Sequence, residues 1–173
     1  MKKILSLLAI SVFASVSLFA QSSRIVGKWN STADAQAAML EAMGGRLEES
    51  VAIMTFNEDG TTEIYSRVKS IADISGIQMT MVLESREHDT WTCDNNILKL
   101  NVKDIEVIEL EITFSDPSLN EAGDIVEDNM KAAFDQQIGA SLEYDIKFVT
   151  DDLVNMVIDQ NGSILEYTLT RIK

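Results

Sequence analysis

The stretch Ile77-Gln78-Met79-Thr80-Met81-Val82-Leu83-Glu84 decides the fold. Long apolar side chains stand at every second position, Ile77, Met79, Met81 and Leu83, which is the period of a pleated strand whose two faces differ. The same period recurs at Leu98, Leu100 and Val102, at Ile108, Leu110, Ile112 and Phe114, at Leu142, Tyr144, Ile146 and Phe148, and at Leu165, Tyr167, Leu169 and Arg171. Each set faces polar or charged neighbours, so each strand has one wet side, as antiparallel sheets permit. Between the sets lie Asn57-Glu58-Asp59-Gly60, Asp94-Asn95-Asn96, Asp151-Asp152 and Gln160-Asn161-Gly162, residue types that tolerate the positive φ of tight turns. Further strands are expected at Ile25–Asn30, Val51–Phe56, Thr61–Ile71 and Asp89–Asp94. The fold predicted is mainly β, a small antiparallel up-and-down barrel of roughly eight to ten strands, enough to close the sheet and remove its edges.

Two segments carry helical spacing instead. In Ala33–Met43 the residues Ala35, Ala38, Met39, Ala42 and Met43 share a stripe, Ser31 and Asp34 have capping-box spacing, and Gly44-Gly45 stands at the end. In Ser118–Ile138 the stripe is Val126, Met130, Phe134 and Ile138, with Pro117 before it, Ser118 and Glu121 as capping box, and Gly139 at its end. Two inserted helices are therefore expected, each burying its stripe.

Composition narrows the function classes. The chain has 173 residues, one domain's worth, with 14 Lys and Arg against 28 Asp and Glu, a formal charge of −14. That sign opposes binding to nucleic acid or an anionic membrane surface. A single Cys, Cys93, excludes an intrachain disulfide, and with His88 as the sole imidazole there is little material for a zinc cluster or a Ser-His-Asp triad. Asp59, Asp94, Asp151, Asp152 and Asp159 sit in turns, but none has the calcium-loop register, so neither a metal nor another cofactor is expected. Glu106, Glu109 and Glu111 read as a solvated face, His88 between Glu87 and Asp89 as an inert surface group, and Cys93 as a half-buried small side chain.

Residues 1–20 read as a secretory signal. Lys2 and Lys3 precede an apolar run from Ile4 to Ala20, polar Gln21-Ser22-Ser23 come next, and no basic stop-transfer cluster is present. Cleavage near Ala20 would leave a domain of residues 21–173 with 12 basic and 28 acidic side chains and no membrane span. The expected destination is the periplasm or the exterior.

Gly27-Lys28-Trp29 on the first strand and Arg171 on the last resemble the lipocalin-like, or calycin, superfamily, as found in exported bacterial proteins. The resemblance spans residues from about Ile25 to Lys173 and extends to Met54-Thr55-Phe56-Asn57-Glu58-Asp59-Gly60-Thr61. It implies a structural latch of Gly27, Trp29 and Arg171, with the guanidinium across the indole at the closed end of the barrel. The chain departs from classical lipocalins in lacking a disulfide pair and in placing its long helix before the final strands.

A barrel of this size is either filled or holds one small ligand. The expected lining is Met79, Met81, Leu83, Leu100, Ile108, Leu110, Tyr144, Phe148, Tyr167 and Leu169, with Ile53 or Met54 beside them. Such a surface suits a small apolar, lipid-like ligand. The alternative is a filled acidic barrel acting as a protein-interaction module of the cell envelope, its partner unspecified by the sequence. Catalysis is not expected: it would require a polar cluster inside the barrel, for instance Tyr144, Tyr167 and a carboxylate converging.

Overall fold

The computed structural model describes residues 23–32, 41, 44–160 and 162–173; the expected signal segment and nearly all of the Ala33–Met43 helix lie outside these residues. The strands are β1 (Gly27–Thr32), β2 (Gly45–Phe56), β3 (Thr61–Ile74), β4 (Ile77–Asp94), β5 (Ile97–Phe114), β6 (Ser141–Thr150), β7 (Leu153–Gln160) and β8 (Ser163–Arg171). They form a closed antiparallel barrel in which neighbours in sequence pair and β8 returns to β1. Between β5 and β6 a 3-10 turn at Pro117–Leu119 leads into helix α1, Asn120–Gln137.

The nine expected strands become seven because two pairs of them are each one long strand, and β7, Leu153–Gln160, which the alternation does not single out, brings the count to eight. Ile77–Glu84 and Asp89–Asp94 are halves of β4, and Leu98–Val102 and Ile108–Phe114 are halves of β5. Alternation along β5 is broken by two bulges. Asp89 opposes Val102 while His88 opposes Asp104, leaving Lys103 over, and Glu84 opposes Glu109 while Ser85 opposes Val107, leaving Ile108 over. Each extra residue inverts the facing of the residues after it, so the inner set on β5 passes from Leu98, Leu100 and Val102 to Ile105 and Val107, then returns at Leu110 and Ile112.

The packed core occupies the closed end of the barrel. Trp29, Phe56, Trp91, Leu98, Leu100, Ile146, Val154, Met156 and Leu169 are buried together. Phe56 meets Trp91 edge to face at 5.6 Å, and the Trp91 indole N–H donates to the carbonyls of Asn57 and Thr61, so the polar edge of the ring has partners. Cys93 is a free thiol and buried here, and that burial pushes its pKa up, away from the reactive thiolate.

At the same end Trp29 on β1 stands opposite Arg171 on β8, whose guanidinium lies 4.1 Å from the indole centroid. Arg171 also donates to the carbonyls of Val26 (2.8 Å), Arg24 (2.6 Å) and Asp151 (3.1 Å). Gly27 has φ +127°, and a Cβ there would stand 2.6 Å from Arg171 Nη1. The missing side chain is the space the guanidinium fills.

Helix α1 lies along the far half of β5, beyond Asn101, where pairing with β6 ends. Gly123 is buried against the strand, and a Cβ on it would meet the Ile112 carbonyl at 2.6 Å. Four residues on, Glu127 accepts the Ile112 N–H at 2.8 Å, giving an otherwise unpaired edge amide its partner. The expected apolar stripe is only half realised: Met130 and Phe134 are half-buried, but Val126 and Ile138 are 41% and 43% exposed. The helix docks on a strand edge through a glycine and a carboxylate rather than on a sheet face through a stripe. Its start also differs from the expected capping box, since Asp116 accepts the Ser118 N–H at 2.9 Å. No helix among the described residues is long and apolar enough to cross a membrane.

Candidate functional site

Beyond the core the barrel interior holds a cavity of about 390 Å³. Met54, Leu100 and Met156 form its floor on the core side, while Ser31, Ser50 and Gln137 line its other end, where Ser50 and Gln137 are exposed. Small inward side chains on β2 and β3, Ser50, Ala52 and Ser66, leave the room that bulkier residues would fill. Val51, Ile64, Val68, Leu83 and Leu142 give the walls their apolar character.

The polar side of the cavity comes from β4. The phase that points Met79, Met81 and Leu83 inward continues without a break to Ser85, Glu87 and Asp89, and then to buried Trp91 and Cys93. Ser85 bonds to Ser66 across the β3–β4 pair at 2.8 Å. Glu87 is half-buried and lines the cavity. Asp89 is 3% exposed, and neither of its carboxylate oxygens accepts a hydrogen bond from a described protein donor.

Both carboxyls titrate high. Burial pushes Glu87 up to about 8, and the negative charge of Asp89 adds to the effect. Asp89 is raised by its own burial, against the pull of the Glu87 hydroxyl, His88 and Lys103. The two behave as one unit that keeps a proton at neutral pH, carried on Glu87 and shared toward Asp89. Tyr144 from β6 and Tyr167 from β8 complete the cluster, their rings edge to face with centroids 6.2 Å apart. Burial raises both phenols, and for Tyr144 the charges of Tyr167, Glu87 and Asp89 raise it further, so both remain neutral donors.

Two tyrosines and a carboxylate therefore do converge inside the barrel. Glu87 and the two tyrosines line an apolar cavity whose described lining includes no Lys, Arg or His, and Asp89 acts on this group through Glu87 without itself lining the cavity. The group is chemically suited to receive a hydrogen-bond donor or a cation.

Of the residues the sequence nominates as lining, Leu83, Leu100, Tyr144 and Tyr167 border the cavity. Leu169 is fully buried in the core below, Phe148 packs against that core with the Arg24 guanidinium 4.1 Å over its ring, and Met79, Met81 and Leu110 are half-buried further along β4 and β5. Ile108 is a correction: it is the extra residue of a bulge, 44% exposed, and turns away from the interior. Met54, not Ile53, points in, at 6% exposure. Gly27, Trp29 and Arg171 come together at the closed end.

Sequence reasoning places Glu87 and Asp89 only as flanks of a surface His88; His88 is indeed exposed, which turns its two neighbours inward. The signal for them is the odd-numbered phase of Ile77 to Leu83, carried six residues further. Among the described residues no group of three or more His, Cys, Asp or Glu is placed to hold a metal ion. No protein-family model matches the chain, and no curated protein matches it.

Proposed function

We propose that the protein is an exported, lipocalin-like binding barrel that carries one small, largely apolar ligand and uses no cofactor. The observation that carries this reading is the cavity of about 390 Å³ above a well-packed core, within the size range of small-molecule sites. The closed eight-stranded barrel and the Gly27, Trp29 and Arg171 contact are what a lipocalin-like ancestry implies. The apolar run from Ile4 to Ala20 supports export. An interaction module with a filled interior draws no such support from the cavity.

Native mass spectrometry of protein released gently from the producing cells tests this reading. A co-purifying small molecule is expected on a chain that begins near Gln21. Recovery of apo protein alone would overturn the carrier role, and a full-length chain retained inside the cell would overturn export.

A second reading comes from the carboxyl and tyrosine cluster: Glu87, held protonated, beside a second buried carboxyl is a pairing that proton-transfer catalysis uses. Repeating the incubation in D2O decides it, since proton-transfer catalysis exchanges carbon-bound hydrogen of the bound molecule for deuterium or converts it to a product, and carriage does neither.

A further inference from the structure

We propose that the ligand is a cationic amphiphile, with its apolar body against Ile64, Leu83 and Leu142 and a protonated amine seated at the Glu87 and Asp89 carboxyls. This rests on the carrier reading and narrows it to a chemical class.

Three observations carry the choice. Asp89 is only 3% exposed, yet both of its oxygens lack a protein donor. The Glu87 hydroxyl and the Lys103 backbone N–H approach Asp89, but neither closes a hydrogen bond on its oxygens, which leaves acceptor capacity in the interior for a ligand or water. Second, the described lining of the cavity holds no Lys, Arg or His, so the carboxylate of a fatty acid would enter beside two carboxyls with no counter-ion. An ammonium reverses both penalties, bringing three donors and the opposite charge. Third, the Tyr144 and Tyr167 rings border the same cavity and supply aromatic faces and hydroxyls for a cation.

Tyr144 from β6 interacts with both carboxyls and with Tyr167 from β8, and His88 and Lys103 bear on Asp89. None of them offers the pair a second negative charge at neutral pH. An ammonium seated between the carboxyls favours the ionised form of Glu87 and so opposes the burial and the neighbouring carboxyl that keep it protonated. The Glu87 proton then leaves to the buffer, and up to one proton is released per amine bound.

Calorimetric titration of the full chain with dodecylammonium and dodecanoate, each below its micelle concentration, and dodecanol, below its solubility limit, at about pH 7 and physiological salt tests the proposal. Repeating it in two buffers of different ionisation heat reads the proton release. Dodecylammonium is expected to bind at least about tenfold tighter than dodecanoate and to release part of a proton. Because the formal charge of −14 attracts any cation, the variants carry the decision. Glu87→Gln with Asp89→Asn is expected to weaken dodecylammonium at least about tenfold while leaving dodecanol within about twofold. Asp89→Asn alone, checked as folded by circular dichroism, gives the same direction should the double variant not fold. If dodecanol and dodecanoate bind and dodecylammonium is no tighter, the cationic class is overturned and carriage stands. If the amine is preferred but neither variant weakens it, the carboxyl site is overturned. If none of the three binds, carriage itself fails and this inference fails with it.

Discussion

Arg171 joins the first and last strands of the barrel through interactions of different kinds. Its guanidinium stacks on Trp29, donates to three backbone carbonyls and lies 3.5 Å from Asp152. The carbonyls belong to the segment entering β1 and to the turn between β6 and β7, so a replacement has to satisfy a planar fork of donors. Arg171→Ala is expected to lower stability by about 1–3 kcal/mol in urea unfolding and to shift Trp29 emission, read in a Trp91→Phe background. Arg171→Lys should recover less than half of that, since a point charge cannot reach all three acceptors at once. Gly27→Ala should be destabilising for two reasons that add, its φ of +127° and the 2.6 Å approach to Arg171 Nη1. Equal stability of Gly27→Ala and wild type would mean that the guanidinium does not need that space. These three residues are legible in the sequence through their resemblance to a known pattern. Glu87 and Asp89 are not, because a carboxylate next to a histidine in a charged stretch reads as surface until the phase of the whole strand is known.

At the scale of elements, β5 and α1 show where period reading succeeds and where it misleads. Alternation finds both halves of β5, but a bulge resets the phase without leaving a mark in composition; two bulges invert the short stretch between the halves, which hides their continuity and makes Ile108 read as inward. The helix is located by its capping residues and by Gly139, while its buried face escapes the pattern because Gly123 and Glu127 carry no apolar signal. They act instead through close approach and a backbone hydrogen bond. Gly123→Ala should therefore destabilise the protein even though alanine favours a free helix by about 1 kcal/mol, because the new Cβ would collide with the Ile112 carbonyl. Glu127→Ala leaves the Ile112 N–H without its acceptor, and hydrogen exchange should show that amide losing protection ahead of Leu100 and Val102 in the closed part of the barrel. A more stable Gly123→Ala would show that α1 stands off the strand.

Across the whole molecule, charge is divided between an acidic exterior, partly paired, and two carboxyls held inside the barrel. Outside, Glu48 is pulled below its usual range by Lys69 and Arg46, and Asp59 and Asp116 by hydrogen bonds from Thr61 and Ser118, so each contributes stability that is lost as pH falls through its lowered pKa. Inside, the direction is opposite. Glu87 rises from an ordinary 4.5 to about 8, so between those values the folded state holds a proton that the unfolded chain has released. Its contribution is complete below 4.5 and is lost as pH rises through 8, at a slope of at most about 1.4 kcal/mol per pH unit. Asp89, also raised, acts in the same sense. The two groups of carboxyls together place maximal stability at mildly acidic pH, and the urea midpoint should fall between about pH 5 and about pH 8.5. Repulsion among the surface carboxylates has the same trend, so the decisive comparison is Glu87→Gln, whose amide still donates toward Asp89 but does not titrate. That variant should match wild type near the acidic end of this range and exceed it at the alkaline end, flattening the profile; parallel profiles would show that the interior pair does not govern the response of the barrel to pH.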